Sequence, residues 1–164
     1  MRTTMMVLVS LGLAVMSGCG SPSDVGSSGE GRTRLSLNDS SGEFGDYVIH
    51  INGMASTALA PFIAEHYGIV RSEERGVVNL VILKKTDVAG VNKPVKGTVE
   101  VSAANLTGQL KSVELTEVID DESIYYLSQL SIDDRERINF DFDVRPEGST
   151  RILRVRFTHQ FYEE

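Results

Sequence analysis

The side chains best suited to metal or proton-transfer chemistry are three histidines, His50, His66 and His159. A ligand set recurs at i, i+4 on a helix or i, i+2 on a strand, and no two of them do. They read as structural or surface histidines, with His159 on the inward side of a strand, partly buried and hydrogen-bonded near a sandwich end. The acidic turns Asp120-Asp121-Glu122 and Asp133-Asp134-Glu136 offer oxygen ligands of the kind calcium takes. They flank one strand, Ser123–Ile132, which at about 3.3 Å per residue holds them roughly 30 Å apart, too far to share an ion. Neither has the glycine-punctuated spacing of a calcium loop, so both read as solvated turns. There is no G-x-S-x-G elbow, no H-E-x-x-H pair and no phosphate-cradling glycine loop between a strand and a helix. The expectation is a chain with no catalytic residues, no metal and no cofactor.

What is left is recognition. Arg71 and Arg75 sit with Glu73-Glu74 in a loop, where binding residues concentrate. Two roles stay open for Arg71: a semi-buried side chain bonded to backbone carbonyls, or an anchor at a partner interface, where arginine is enriched. Tyr126 is expected in the core, and its neighbour Tyr125 faces outward as a contact residue.

Cys19 is the only cysteine. Behind Arg2, an apolar run from Met5 to Met16 leads into Ser17-Gly18-Cys19, the layout of a secretory signal. The run is about a dozen residues, short of the roughly 20 a spanning helix needs. Met16-Ser17-Gly18-Cys19 resembles a bacterial lipobox, with Met where Leu is usual. That resemblance implies lipidation of Cys19 as the first mature residue; the alternative is a plain signal cut near Ala14 or Gly18. Two or three acyl chains, at about 0.8 kcal/mol per buried methylene, make attachment nearly permanent. Gly20, where an Asp would resemble an inner-membrane retention signal, implies the outer membrane, on its periplasmic side.

Removing residues 1–18 takes away Arg2 and no acid, leaving 15 basic against 23 acidic side chains. An acidic chain with no basic block argues against nucleic acid and against docking on anionic lipid. No disulfide framework is available, so packing must supply stability.

The elements follow from periodicity. Residues 19–43 are rich in Gly and Ser and read as a flexible tether with about 25–30 Å of reach. From Phe44 onward the period is two. Strands are expected over Asp46–Asn52, Val77–Lys85, Val95–Ala104, Leu110–Ile119, Ser123–Ile132, Arg137–Arg145 and Arg151–Tyr162. Val77–Lys85 is apolar on both faces, as a central strand is. Pro61 at a first helical position and Gly68 as a cap mark a short helix over Pro61–Tyr67, packed through Leu59, Phe62, Ile63 and Tyr67. The last two strands have apolar sets of opposite parity, so an even loop at Pro146–Ser149 brings both sets to one side. That register places Asp141 opposite Arg154 and Asn139 opposite Arg156. The sum is a mainly β domain over 44–164: one antiparallel β-sandwich, immunoglobulin-like in architecture, of about seven strands with one short helix. A small closed β-barrel is the alternative.

Three blocks, FGDYVIHINGMAST, EHYGIVRSEERGVVNLVILKK and INFDFDVRPEGSTRILRVRFTHQFYEE, resemble a family of bacterial envelope proteins known as domain of unknown function 4426. The resemblance covers most of Phe44–Glu164 and implies an exported, single-domain β protein. It brings no activity, cofactor or catalytic residue. The expected function is a non-catalytic accessory domain, membrane-held through Cys19, that binds another envelope protein. The alternatives are a small-ligand or glycan carrier with a cavity between its sheets, and a hydrolase with a histidine close to Ser or Asp in a cleft.

Overall fold

The computed structural model describes residues 33–34 and 40–162. The expected signal peptide, Cys19 and most of the expected tether lie outside the described residues. Strands β1 (Thr33–Arg34), β2 (Ser41–Phe44) and β3 (Tyr47–Ala55) lead into a 3₁₀ turn, Ser56–Ala58, and helix α1 (Pro61–His66). Then come β4 (Arg75–Lys85), β5 (Asn92–Pro94), β6 (Gly97–Asn105) and β7 (Leu110–Lys111). The chain ends in β8 (Thr116–Asp120), β9 (Ser123–Ser131), β10 (Arg137–Pro146) and β11 (Leu153–Gln160).

Two sheets face each other across one core. The first runs β1-β11-β10-β6-β7, the second β2-β3-β4-β9-β8 with β5 beside the end of β4. Every pairing is antiparallel except β1 on β11. The sheets are open, so the chain is a sandwich and not a closed barrel. β1 and most of β2 fall within the stretch expected to be tether, and β2 pairs with β3 from Ser41. Neither strand carries an apolar alternation that the sequence could announce.

The core follows from alternation. β10 buries Ile138, Phe140, Phe142 and Val144, and β11 buries Leu153, Val155 and Phe157, while their intervening residues face water. Across the layer stand Ile49 and Ile51 of β3 and Val78, Leu80 and Ile82 of β4. Phe140 sits in the middle, 6.1–6.4 Å by ring centroid from Phe142, Phe157 and Phe161. Burying each such side chain contributes roughly 1.5–3 kcal/mol against leaving it exposed.

Three expectations are corrected. The β10–β11 parity is right but the register is two residues off: Asp141 faces Arg156, Asp143 faces Arg154 and Asn139 faces Thr158. The last pair before the turn is Val144 with Leu153, so the loop is longer than four residues and still even. Arg156 grips Asp141 through Nε–Oδ1 and Nη2–Oδ2, both 2.7 Å. Second, Leu110–Ile119 is two strands in opposite sheets: β7 pairs with β6 and β8 with β9. The chain changes sheets over Ser112–Leu115, and Val113 and Leu115, partly buried, pack against the core there. Third, α1 buries Ala64 and half-buries Ile63, whereas Phe62 is 70% exposed. The expected Gly68 cap holds: Gly68 N–H bonds Glu65 O at 3.1 Å and Ile69 N–H bonds Ala64 O at 2.7 Å, with Gly68 at φ +65°.

One tyrosine fastens the sheets where the chain crosses from β5 to β6. Tyr126 of β9 is buried, and its hydroxyl accepts the Gly97 N–H at 2.8 Å. Its own proton points to Gly97 O at 2.9 Å or Glu117 Oε2 at 3.1 Å.

Candidate functional site

The residues singled out from sequence fall in separate places. His50 is exposed on β3, His66 exposed at the end of α1, and His159 half-buried on the inward side of β11. His159 lies stacked on Phe157 (5.8 Å) and edge-on to Phe161 (4.6 Å). Burial pushes its pKa below the usual 6.5. Among the described residues no hydrogen bond reaches the imidazole, which packs on these rings and against Gly53, so the hydrogen bond expected for it is not found. The acidic turns stand at opposite ends of β9, and no group of three potential ligands able to hold a metal exists among the described residues.

The second acidic segment is structural in part. Glu136 accepts from Lys111 Nζ at 2.7 Å, Asn105 Nδ2 at 3.1 Å and the Asp133 N–H at 3.1 Å. Burial opposes its ionisation, yet these donors together hold its carboxyl below the usual carboxylate range. A polar hollow of about 390 Å³ beside it is lined by Arg135, Arg137 and Gln160. Its groups bond one another, Arg137 Nη2 donating to Gln160 Oε1 at 3.2 Å, and tie the end of β11 to β10.

The more distinctive feature lies over the outer face of the second sheet. The segment from Ser56 to Ser72 spans this face as a cap. Ser56 Oγ donates to Ser72 O and accepts the Ser72 N–H, both at 2.9 Å. Arg71 Nη2 donates to Thr57 O at 2.8 Å, so the side chain does bond a backbone carbonyl, but it is exposed where that role has it semi-buried. Gln129 of β9 pairs with Val70 as a strand would, donating to its carbonyl at 2.8 Å and accepting its N–H at 3.2 Å. Tyr67 Oη donates to Asp120 Oδ2 at 2.8 Å. That bond, then burial, pushes the Tyr67 phenol up to about 12.

The cap does not fill the space beneath it. A groove of about 250 Å³ remains, roofed by Leu59, Ile63, Tyr67 and Ile69. Its floor is Met54, Val77, Asn79, Tyr125 and Leu127. Register explains the floor: Met54 faces Val77, and Asn52, Asn79, Leu127 and Thr116 form one row across four strands. Tyr125, the residue expected to make contacts, is half-buried in this wall, 6.3 Å from the Tyr67 ring. Arg75, at the start of β4, is exposed and does not line the groove. Among the described residues, Asn79 Oδ1 is buried with no hydrogen-bond partner. A buried acceptor left unpaired costs about 1–3 kcal/mol. Phe62 and Val70, at 70% and 56% exposed, stand outside the roof.

Asn79 escapes the sequence reading, and Tyr67 enters it only as a packing residue of the short helix. The signal was present in Val77–Lys85: a strand apolar on both faces must be covered on both, and Asn79 is the polar exception within it. Among the described residues, no helix is long and apolar enough to cross a membrane.

Two open, antiparallel sheets with a helical cap over one outer face define a small β-sandwich protein whose surface, and not its interior, carries the candidate site. Residues 41–164 match the family model of the domain of unknown function DUF4426, and the chain belongs to that family. It is similar to the crystal structure of a DUF4426 family protein from Pseudomonas aeruginosa, at 32% identity and a TM-score of 0.64, over 76% of this chain and 94% of that one. No protein of curated function matches.

Proposed function

We propose that this chain is a non-catalytic accessory domain, held by lipid at Cys19 to the outer membrane on its periplasmic side, that binds another protein of the envelope. The signal-like segment ending in Met16-Ser17-Gly18-Cys19 supports the location. The groove under the cap, with Tyr125 in its wall and Phe62 standing free beside it, is the observation that carries the binding role. The acidic balance of the chain favours protein over nucleic acid.

The groove also weighs protein against small molecule. Sites for small ligands run to roughly 300–1,000 Å³, and the layer between the sheets is occupied by Phe140, Phe142 and their aliphatic neighbours. A groove of about 250 Å³ suits one or two side chains of a partner. A photo-crosslinking residue at Tyr125 or Phe62, in living cells, should capture the same partner from both positions. The same probe at Glu100, exposed on the far sheet, should not. One mixture of abundant proteins from all three positions would overturn the binding role. Cys19→Ser should move the protein from membranes to the soluble periplasmic fraction; retention in membranes would overturn the anchor.

A further inference from the structure

We infer that the groove under the cap takes a short peptide segment carrying one aliphatic or aromatic side chain next to a lysine or arginine. This deepens the accessory-domain reading and rests on it for the idea that the occupant is a protein. Three observations fix the chemistry. The roof and floor are apolar except for Asn79 and two tyrosines, so the inserted group is apolar. Asn79 lies in the floor with its Oδ1 buried and without a donor among the described residues, so a segment that inserts with an N–H offers that acceptor its partner. The mouth is acidic: Tyr67 is bonded to Asp120, which opens the exposed turn Asp121-Glu122, and Glu65 is exposed on α1. Among the described residues, no lysine or arginine lines the groove. An acidic rim around a neutral apolar slot repels acidic segments and draws basic ones, which sets specificity and encounter rate.

The test uses the purified full chain as bait for a random short-peptide library. Recovered sequences should converge on Leu, Ile, Phe or Trp flanked by Lys or Arg. Synthetic peptides of that kind should bind about tenfold more weakly to Asn79→Leu, and to a chain with both Asp121→Lys and Glu122→Lys. Both variants keep the fold, because Leu fills the space of an unpaired Asn and the two acids lie in a solvated turn; circular dichroism and an unchanged or raised melting temperature check this. The inference is overturned by an acidic consensus, by no consensus, or by equal binding to all variants. A fluorescent fatty acid that binds wild type and not Asn79→Leu would assign the groove to an acyl chain instead. A dimer in sedimentation that Asn79→Leu dissolves would assign it to a second copy. The two readings fail separately. An envelope partner crosslinked at Tyr125 through an acidic segment sinks only the inference, whereas a basic consensus with no partner in cells sinks only the accessory role.

Discussion

The ring of His159 rests directly on Gly53, so closely that a Cβ at position 53 would lie 2.8 Å from His159 Cδ2. The two residues belong to facing sheets, β11 and β3, and the missing side chain on one makes room for the imidazole on the other. Gly53→Ala therefore forces the ring or a strand to move. We expect a loss of about 1–3 kcal/mol, the usual penalty of overpacking, read as a lowered midpoint in urea. His159→Ala in the same chain should recover most of it, a coupling that two independent effects would not show.

His159 also makes stability depend on pH. Burial lowers its folded-state pKa below the 6.5 it has when unfolded. The unfolded chain therefore binds the proton more readily. The contribution of neutral His159 is complete above pH 6.5 and declines as pH falls toward the folded-state value. Melting temperatures measured from pH 8 to pH 5 should fall in wild type. In His159→Phe, which retains the ring packing, that part of the slope should disappear. A slope identical in both proteins would assign the effect to other groups.

At the same end of the sandwich, where the Phe161 N–H bonds Glu136 O, Lys111 and Glu136 form an ion pair whose side chains are 11% and 7% exposed. Removing one partner strands the other charge. Glu136→Leu should cost about 3–5 kcal/mol, while Glu136→Leu with Lys111→Met should cost much less. Because Glu136 is held below the usual carboxylate range, its contribution is complete above pH 4.5 and is lost as pH falls through its folded-state value. Chemical denaturation of both variants, compared at pH 7 and pH 4, checks both statements. Equal losses in the single and the double variant would mean that packing, not charge, is what Glu136 provides.

How far the sequence spoke depended on whether local pattern alone decided the outcome. Ile138, Phe140, Phe142 and Val144 alternate with polar residues, and alternation determines which face is buried wherever one face meets a core. Pro61 and Gly68 bracket α1 because their backbone preferences are local. Register is different: Asp141 meets Arg156 because of the length of a loop, and parity is the same for any even loop. The break between β7 and β8 leaves the alternation intact while the chain changes sheets, so Val113 and Leu115 look like the middle of one strand. Phe62 breaks the hydrophobic expectation outright, exposed on a six-residue helix that rests on the sheet through Ala64 and Ile63. The groove was the least legible part, since Met54, Asn79, Tyr67 and Leu127 meet only when four elements are in place.

The bond between Tyr126 and Gly97 supports a last prediction. Gly97 sits at the crossing between sheets, where a Cβ would lie 2.6 Å from Arg145 O and 2.7 Å from Ile82 Cδ1, so the backbone must approach bare. Its N–H then depends on the Tyr126 hydroxyl. Tyr126→Phe removes the acceptor and should cost about 1–3 kcal/mol. Burial, and behind it the Glu117 carboxylate, pushes the Tyr126 phenol up to about 12, against the lowering pull of the Gly97 N–H. The folded chain thus holds this proton more tightly than the unfolded one. The phenol's contribution is complete below pH 10 and is lost as pH rises toward 12. Ultraviolet titration of the five tyrosines should show two, Tyr67 and Tyr126, ionising late. Tyr126→Phe should remove one late step and leave the other. Loss of both would mean that the crossing at Gly97 and the cap over the second sheet are one cooperative unit, and that the bond is needed to keep Tyr67 in place.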